Sequence, residues 1–391
     1  MRTWLRWLVA AAGLSLGAAR AELPEAVGRA LARAGVPEDA ISVLVAPVGP
    51  ATTTARLSHR PDASMNPASV MKLVTTYAGL DLLGPEFRWR NRVYVDGFVA
   101  NGVLDGHLIL RGSGDPKLVL ERIDALMREI QAAGVREIRG DILLDNSIFS
   151  VPDRHPGEFD DEPLRPYNAR PDGLLVNFKS LILRFTPDPS SGLASVEVEP
   201  PIAGVEWPPL IALGTGPCAD WRSRLRADFS RPDRIAFAGR YTRACGTQTW
   251  PVAYVDPRGY APRVLRAMWQ AAGGRLGGQV REASTPSTAR LLLQSDSLPL
   301  SDIAADINKF SNNVMAQQLF LTLSAQAHGK GSFEASRERL RAWWRERFPG
   351  RPVERRDGTE RFRGLPAGRR DGAERFRGLP AGRRAGAEMR P

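Results

Sequence analysis

The sequence predicts an α+β protein in which a helical region is split by a β-rich insertion. Residues 24–83 and 258–348 place apolar residues at helical spacing, whereas residues 91–257 hold short β-rich runs separated by glycine turns. A helical region interrupted in this way reads as a host domain with an insertion. The 391 residues are 43% hydrophobic and 25% charged. That composition excludes a disordered, collagen-like or multi-span membrane chain and leaves room for two or three domains.

Arg2 and Arg6 precede an apolar run from Leu8 to Leu16, which is followed by Ala19-Arg20-Ala21. This is the pattern of a secretory signal peptide over residues 1–21, and the chain is expected in the periplasm. No later stretch reaches the ~18 apolar residues of a transmembrane helix. The host domain is read over residues 22–90 and 258–350. Its first helix covers Pro24 to Gly35. A strand over Ala40 to Ala46 and a hairpin partner over Thr52 to Leu57 flank a Pro/Gly turn. The helix from Pro67 to Leu83 carries Val70, Leu73, Val74, Tyr77 and Leu80 at helical spacing, and Gly84-Pro85 closes it.

Over residues 91–257 strands are expected at Val93 to Val95, Val103 to Leu110, Ile142 to Leu144, Leu174 to Phe185, Val196 to Val198 and Ile235 to Phe237. One helix, Leu118 to Ala133, lies among them. Helices then return at Ala261 to Ala272, at Asp302 to Phe310 with Ser301 as N-cap, at Asn312 to Ala325 and at Phe333 to Phe348. Residues 351–391 differ in texture. Asp357 to Arg370 and Asp371 to Arg384 are near-identical units that differ only at Thr359 and Ala373. This Arg/Gly-rich tail is expected to be disordered.

Lys+Arg 54 against Asp+Glu 43 gives a net charge of +11, a balance that raises nucleic acid as a partner. The tail alone contributes +6, from 12 Arg and six acids. An exported chain does not meet the genome, so nucleic acid is excluded. Only five basic residues are Lys (Lys72, Lys117, Lys179, Lys309 and Lys330), against 49 Arg. Motifs built on Lys therefore rarely arise here by chance. Cys218 and Cys245 suit one disulfide in an oxidising compartment, or else two buried thiols. His59, His107, His155 and His328 are scattered and neither Cys lies in a C-x-x-C, so no metal site or cofactor is expected.

Ser69-Val70-Met71-Lys72 is an S-x-x-K sequence at the start of an expected helix. Residues i and i+3 share a helix face, so a Lys amine there can reach a Ser hydroxyl and act as its base. Lys suits that role because burial shifts its pKa, which Arg does not allow. A helix-start Ser with a solvated Lys is the plainer reading. Ser311-Asn312-Asn313 falls between two expected helices. Its hydroxyl could relay a proton and its amide could hold a substrate carbonyl, or the three residues could form a capping loop.

Together the two motifs resemble the active-site serine penicillin-recognising enzymes. The likeness is closest to the D-alanyl-D-alanine carboxypeptidase/endopeptidase family, the class C or type-4 penicillin-binding proteins. It runs through Pro67 to Leu73, Arg111 to Leu118, Gly140 to Asp145 and Asn308 to Asn313, and covers residues 22 to 350. The resemblance implies a serine β-lactamase/transpeptidase-like domain, helices on an antiparallel sheet, with the β-rich insertion between the first two motifs. It implies Ser69 as acylating nucleophile, Lys72 as general base, Ser311 as proton relay and Asn313 as substrate contact. The partners it implies are peptidoglycan peptides and β-lactams. Asp115 lies in the insertion, where the family builds part of the substrate cleft, and reads more plainly as a turn Asp before Pro116.

The third family motif, K-T-G, does not occur in the 391 residues. In the family its strand binds the substrate carboxylate and supplies an oxyanion N–H. Weak or absent activity is therefore expected, with a peptidoglycan-binding pseudoenzyme as the alternative. A frameshift or truncation near residue 350 is the expected origin of the tail.

Overall fold

A computed structural model describes residues 23–48 and 54–349. The expected signal peptide, the Arg/Gly-rich tail, and Thr52 and Thr53 lie outside the described residues. The chain divides into two compact units, with the boundary between Val70 and Met71. Among the described residues no helix is long and apolar enough to cross a membrane.

In the first unit the helix Glu25–Ala34 ends on Gly35, whose φ of 66° closes the last turn as only glycine does without strain. Glu38–Ala40 winds as a 3-10 turn, so the first strand begins later than expected, at Val43–Val45. It pairs antiparallel with Leu57–His59, with Val43 opposite His59. A second 3-10 turn, Ala68–Val70, ends the unit.

Among the described residues the second unit contains two two-stranded sheets, Ala227–Arg231 with Arg234–Phe237 and Phe149–Ser150 with Gly331–Ser332, and two large ones. In the larger, the hairpin Arg90–Ala100 and Val103–Arg111 is central, and Val93 and Val95 alternate with exposed or half-buried neighbours. The helix Leu120–Ala132 crosses over to bring Glu137–Ile138 and Ile142–Asp145 in parallel to Val103–Arg111. A parallel pair requires such a crossover. The helix Tyr260–Ala271 precedes Arg275–Leu276 and Val280–Glu282, which extend the same parallel edge. Arg290–Asp296 closes the other edge, antiparallel to Arg90–Ala100. The smaller sheet runs in the order Tyr241–Thr242, Leu210–Gly214, Leu193–Glu199, Ser180–Asp188, Gln248–Ala253. One apolar core joins both sheets to both helices, through residues such as Leu108, Met127, Phe185 and Trp269. Cys218 and Cys245 are bonded, with Cα atoms 4.8 Å apart, and Cys245 borders this core.

Three expectations differ from this arrangement. The β-rich region was read as ending at Pro257, yet strands continue to Asp296. Arg275–Leu276 and Val280–Glu282 are too short to show an alternation, and Arg290–Asp296 lies half-exposed at the sheet edge, with Leu291 exposed. The strand expected from Leu174 begins at Ser180, because Asn177, Phe178 and Lys179 take left-handed φ values of 40°, 55° and 51°. Leu174, Leu175 and Val176 are apolar because they pack as a buried loop. Ser301 does not cap its helix, which starts at Leu300. The N–H groups of Leu300 and Ser301 instead donate to the carbonyls of Phe87 and Pro85, at 2.8 and 3.0 Å.

Four helices complete the second unit: Met71–Leu83, Leu300–Phe310, Asn313–His328 and Phe333–Arg347. Trp89 joins them to the larger sheet. Its backbone N–H and C=O bond Ser297 Oγ and Ser297 N, and its indole N–H donates to Thr322 Oγ1 at 2.9 Å. Its ring packs with Leu300, Ile303, Ile307 and Leu319. We expect Trp89→Ala to destabilise the protein by about 3–5 kcal/mol, as a cavity plus a lost buried hydrogen bond. Urea denaturation measures it, and a change below about 1 kcal/mol contradicts this account.

Candidate active site

Lys72 is the second residue of the helix Met71–Leu83 and is 9% exposed. A buried ammonium needs acceptors for its protons. Its Nζ donates to Ser311 Oγ at 3.2 Å and to Asn313 Oδ1 at 2.5 Å. Burial pushes its pKa below the ordinary lysine value. Because an ammonium only donates, it also settles which end of the Asn313 amide faces it, leaving the NH₂ group turned elsewhere.

The local conformation explains why Ser311 and Asn313 both meet one amine. Ser311 ends the helix Leu300–Phe310 in the left-handed conformation, φ 52° and ψ 37°. This reverses the chain within one residue. Asn312 then caps the next helix, its side chain accepting from Met315 N at 3.0 Å. Asn313 opens that helix. The S-x-N spacing thus places a hydroxyl before the cap and an amide after it.

The helix Asn313–His328 is held in turn by the β-rich part of the unit. Gln318 is fully buried. Its Oε1 accepts from Asp172 N at 2.9 Å, and its Nε2 donates to Asp172 O at 2.8 Å and Gly114 O at 3.2 Å. The Asp172 carboxylate pairs with buried Lys179 at 2.6 Å. Val314, next to Asn313, packs on Ala169 and Leu175, with Phe178 against them. Asp115 is 2% exposed and is a structural turn residue. It accepts from Lys117 N at 2.9 Å, Asn91 Nδ2 at 3.0 Å and Arg122 Nη1 at 2.7 Å.

Of the residues expected at the site, the structure brings Lys72, Ser311 and Asn313 together. Ser69 lies exposed in the 3-10 turn Ala68–Val70 of the first unit, outside the α-helix, which starts at Met71. The bonded pair Cys218 and Cys245 belongs to the smaller sheet and its turns. Sequence reasoning assigned no part to Gln318, Asp172 or Lys179. The rarity of Lys was a usable signal for Lys179. A groove of about 420 Å³ runs along the helix Met71–Leu83, lined by Leu73, Tyr77, Trp343 and Trp344 together with Thr76 and Asn308. Among the described residues no group of three or more His, Cys, Asp or Glu side chains is placed to hold a metal ion.

The model of the D-Ala-D-Ala carboxypeptidase 3 (S13) family matches residues 24–344. The D-alanyl-D-alanine carboxypeptidase DacB of Haemophilus influenzae is 26% identical over 257 residues, covering 65% of this chain and 53% of that protein. The D-alanyl-D-alanine carboxypeptidase of Actinomadura sp. (strain R39) is 28% identical over 321 residues, covering 76% and 56%. The chain thus spans about half the length of these curated relatives. The crystal structure of penicillin binding protein 4 (dacB) from Haemophilus influenzae superimposes with a TM-score of 0.60 at 21% identity, covering 75% of this chain and 65% of that one. That likeness shows the transpeptidase-like α+β fold.

The depressed Lys72 pKa carries a stability prediction. The folded chain holds this proton less tightly than the unfolded chain. The cost of burying the charged amine is full below the folded pKa and fades as pH rises towards the ordinary lysine value. Stability referable to Lys72 therefore rises with pH across that window. Denaturation midpoints of the natural protein and Lys72→Met, compared from about pH 7 to about pH 10, should show the difference moving in favour of the natural protein as pH rises. A pH-independent difference contradicts the assignment.

Proposed function

The chain belongs to the D-Ala-D-Ala carboxypeptidase 3 (S13) family, and on that premise we propose that it is a serine-type D-alanyl-D-alanine carboxypeptidase/endopeptidase acting on peptidoglycan stem peptides. The single observation that carries the reading is the buried Lys72 amine held on Ser311 and Asn313. Ser69 Oγ attacks the carbonyl of the D-Ala–D-Ala bond and passes its proton to neutral Lys72. Burial supports this role, because it raises the neutral fraction of the amine. As the tetrahedral intermediate collapses, the C–N bond breaks and Ser311 relays the proton from Lys72 to the leaving amine. Asn313 holds the amide of the acyl portion. Water then hydrolyses the acyl-Ser69 ester and restores the hydroxyl. Cleavage of a D-amino-acid cross-link follows the same steps with a different leaving amine.

β-Lactams acylate the same serine in this reading. The substrate places the protein outside the cytoplasm, in the periplasm, which accords with the signal-like sequence of residues 1–21. The names of the relatives support both the substrate and the penicillin target.

A second reading is a peptidoglycan-binding chain with little turnover. Incubation of the full chain with a fluorescent penicillin separates the two. Covalent labelling that disappears in Ser69→Ala is expected. Muropeptide retention with no labelling supports the second reading instead, and labelling that persists in Ser69→Ala overturns the assignment of the nucleophile.

A further inference from the structure

We propose that Asn308 and Thr76 are positioning residues that clamp the helix carrying Lys72 to the helix that ends at Ser311. The inference deepens the reading of Lys72 as the base, and its first test requires no turnover. Thr76 lies one turn beyond Lys72, and Asn308 lies one turn before Ser311. Asn308 Nδ2 donates to Thr76 Oγ1 at 3.1 Å, and Thr76 Oγ1 donates to the Lys72 carbonyl at 2.9 Å. A hydroxyl has one proton to give and lone pairs to accept with, so one Thr serves both contacts. The result is a continuous chain from the Asn308 amide to the backbone of Lys72.

This chain is the second of two rungs between the same pair of helices. The first is Lys72 to Ser311, at 3.2 Å. A lysine has a long, flexible stem, so its contact at Ser311 fixes the relative rotation of the two helices poorly. The Asn308–Thr76 rung, one turn away on each helix, removes that freedom. Leu80 and Leu83 pack against the cluster of Leu300, Ile303 and Ile307 across the same pair of helices, and apolar contact of this kind is non-directional. Gly79 allows the Lys72 helix to approach Leu319, where an added Cβ would lie 3.0 Å from Leu319 Cδ1. That contact is with the helix Asn313–His328 rather than with the helix that ends at Ser311.

The two partners differ in a way that makes the inference testable. Thr76 is 2% exposed, whereas the Asn308 residue is exposed. Truncating Asn308 therefore removes a hydrogen bond without opening a cavity in the core. A purely structural role and a positioning role then predict different outcomes.

The test uses the five lysines of the full chain, labelled with ¹³C and assigned by single Lys→Arg replacements. Asn308→Ala and Thr76→Val should move the Lys72 side-chain signal towards that of exposed Lys330. The Lys117 and Lys179 signals should stay in place. Thr76→Ser keeps the hydroxyl and should keep the Lys72 signal. An unmoved Lys72 signal in both variants overturns the proposal. So does a general shift of all five signals with loss of cooperative melting, which would make the pair structural alone. In a second arm, the rate of labelling by fluorescent penicillin should fall about three- to tenfold in Asn308→Ala, the factor that corresponds to one hydrogen bond's net contribution. If the natural protein is not labelled at all, the functional reading fails, and the lysine signals still decide the clamp.

Discussion

One buried ammonium organises the helical part of this protein. An amine that is 9% exposed is stable there only if its protons find acceptors. The chain meets that requirement by bringing Ser311 and Asn313 to a single point across two helices. To do so it reverses direction at Ser311 in the left-handed conformation and restarts a helix under the Asn312 cap. The same desolvation that creates the requirement lowers the Lys72 pKa. The desolvation that burdens folding thus also raises the neutral fraction of the Lys72 amine.

The β-rich part of the second unit stabilises this arrangement from behind. Gln318 ties the helix that begins at Asn313 to the backbone of Asp172 and Gly114. The left-handed run at Asn177, Phe178 and Lys179 is unfavourable by about 1–2 kcal/mol per residue. It is held by the Lys179–Asp172 ion pair and by Asn177 against the Tyr260 hydroxyl, and it sets Phe178 against Val314. Strain maintained in this way, one residue from Asn313, is characteristic of a segment whose position matters more than its own stability.

Much of the secondary structure was legible. The helices at Leu120–Ala132, Tyr260–Ala271 and Phe333–Arg347 carry periodicity and glycine or serine punctuation, and the structure has them close to where the pattern puts them. The helix Met71–Leu83 lies close to its expected place, but its expected apolar face is not the buried one: Leu73 and Tyr77 are exposed, and Lys72, Thr75, Thr76, Ala78 and Gly79 face inward. The misreadings arise where tertiary context, not local pattern, decides the conformation. Arg275–Leu276 and Val280–Glu282 are edge strands of two and three residues, too short for a pattern, and Arg290–Asp296 is an edge strand whose Leu run has no alternation. Leu174 to Val176 are apolar for packing, and the following residues turn left-handed under tertiary constraint. At Leu300, carbonyls from Pro85 and Phe87, more than 200 residues away in sequence, satisfy helix N–H groups that a local cap was expected to satisfy.

The sequence by itself determined which chemistry was available. In a chain with 49 Arg and five Lys, the S-x-x-K and S-x-N spacings marked Lys72, Ser311 and Asn313, because hydroxyl, amine and amide at helix starts are local properties. Only the tertiary structure decided that these groups meet. Lys72 and Ser311 are 239 residues apart, and their contact depends on how the helices pack about Trp89, Gly79 and the Thr76–Asn308 bond. No local periodicity encodes a distance of that kind. It follows from burial of the intervening core, which acts on the whole unit at once.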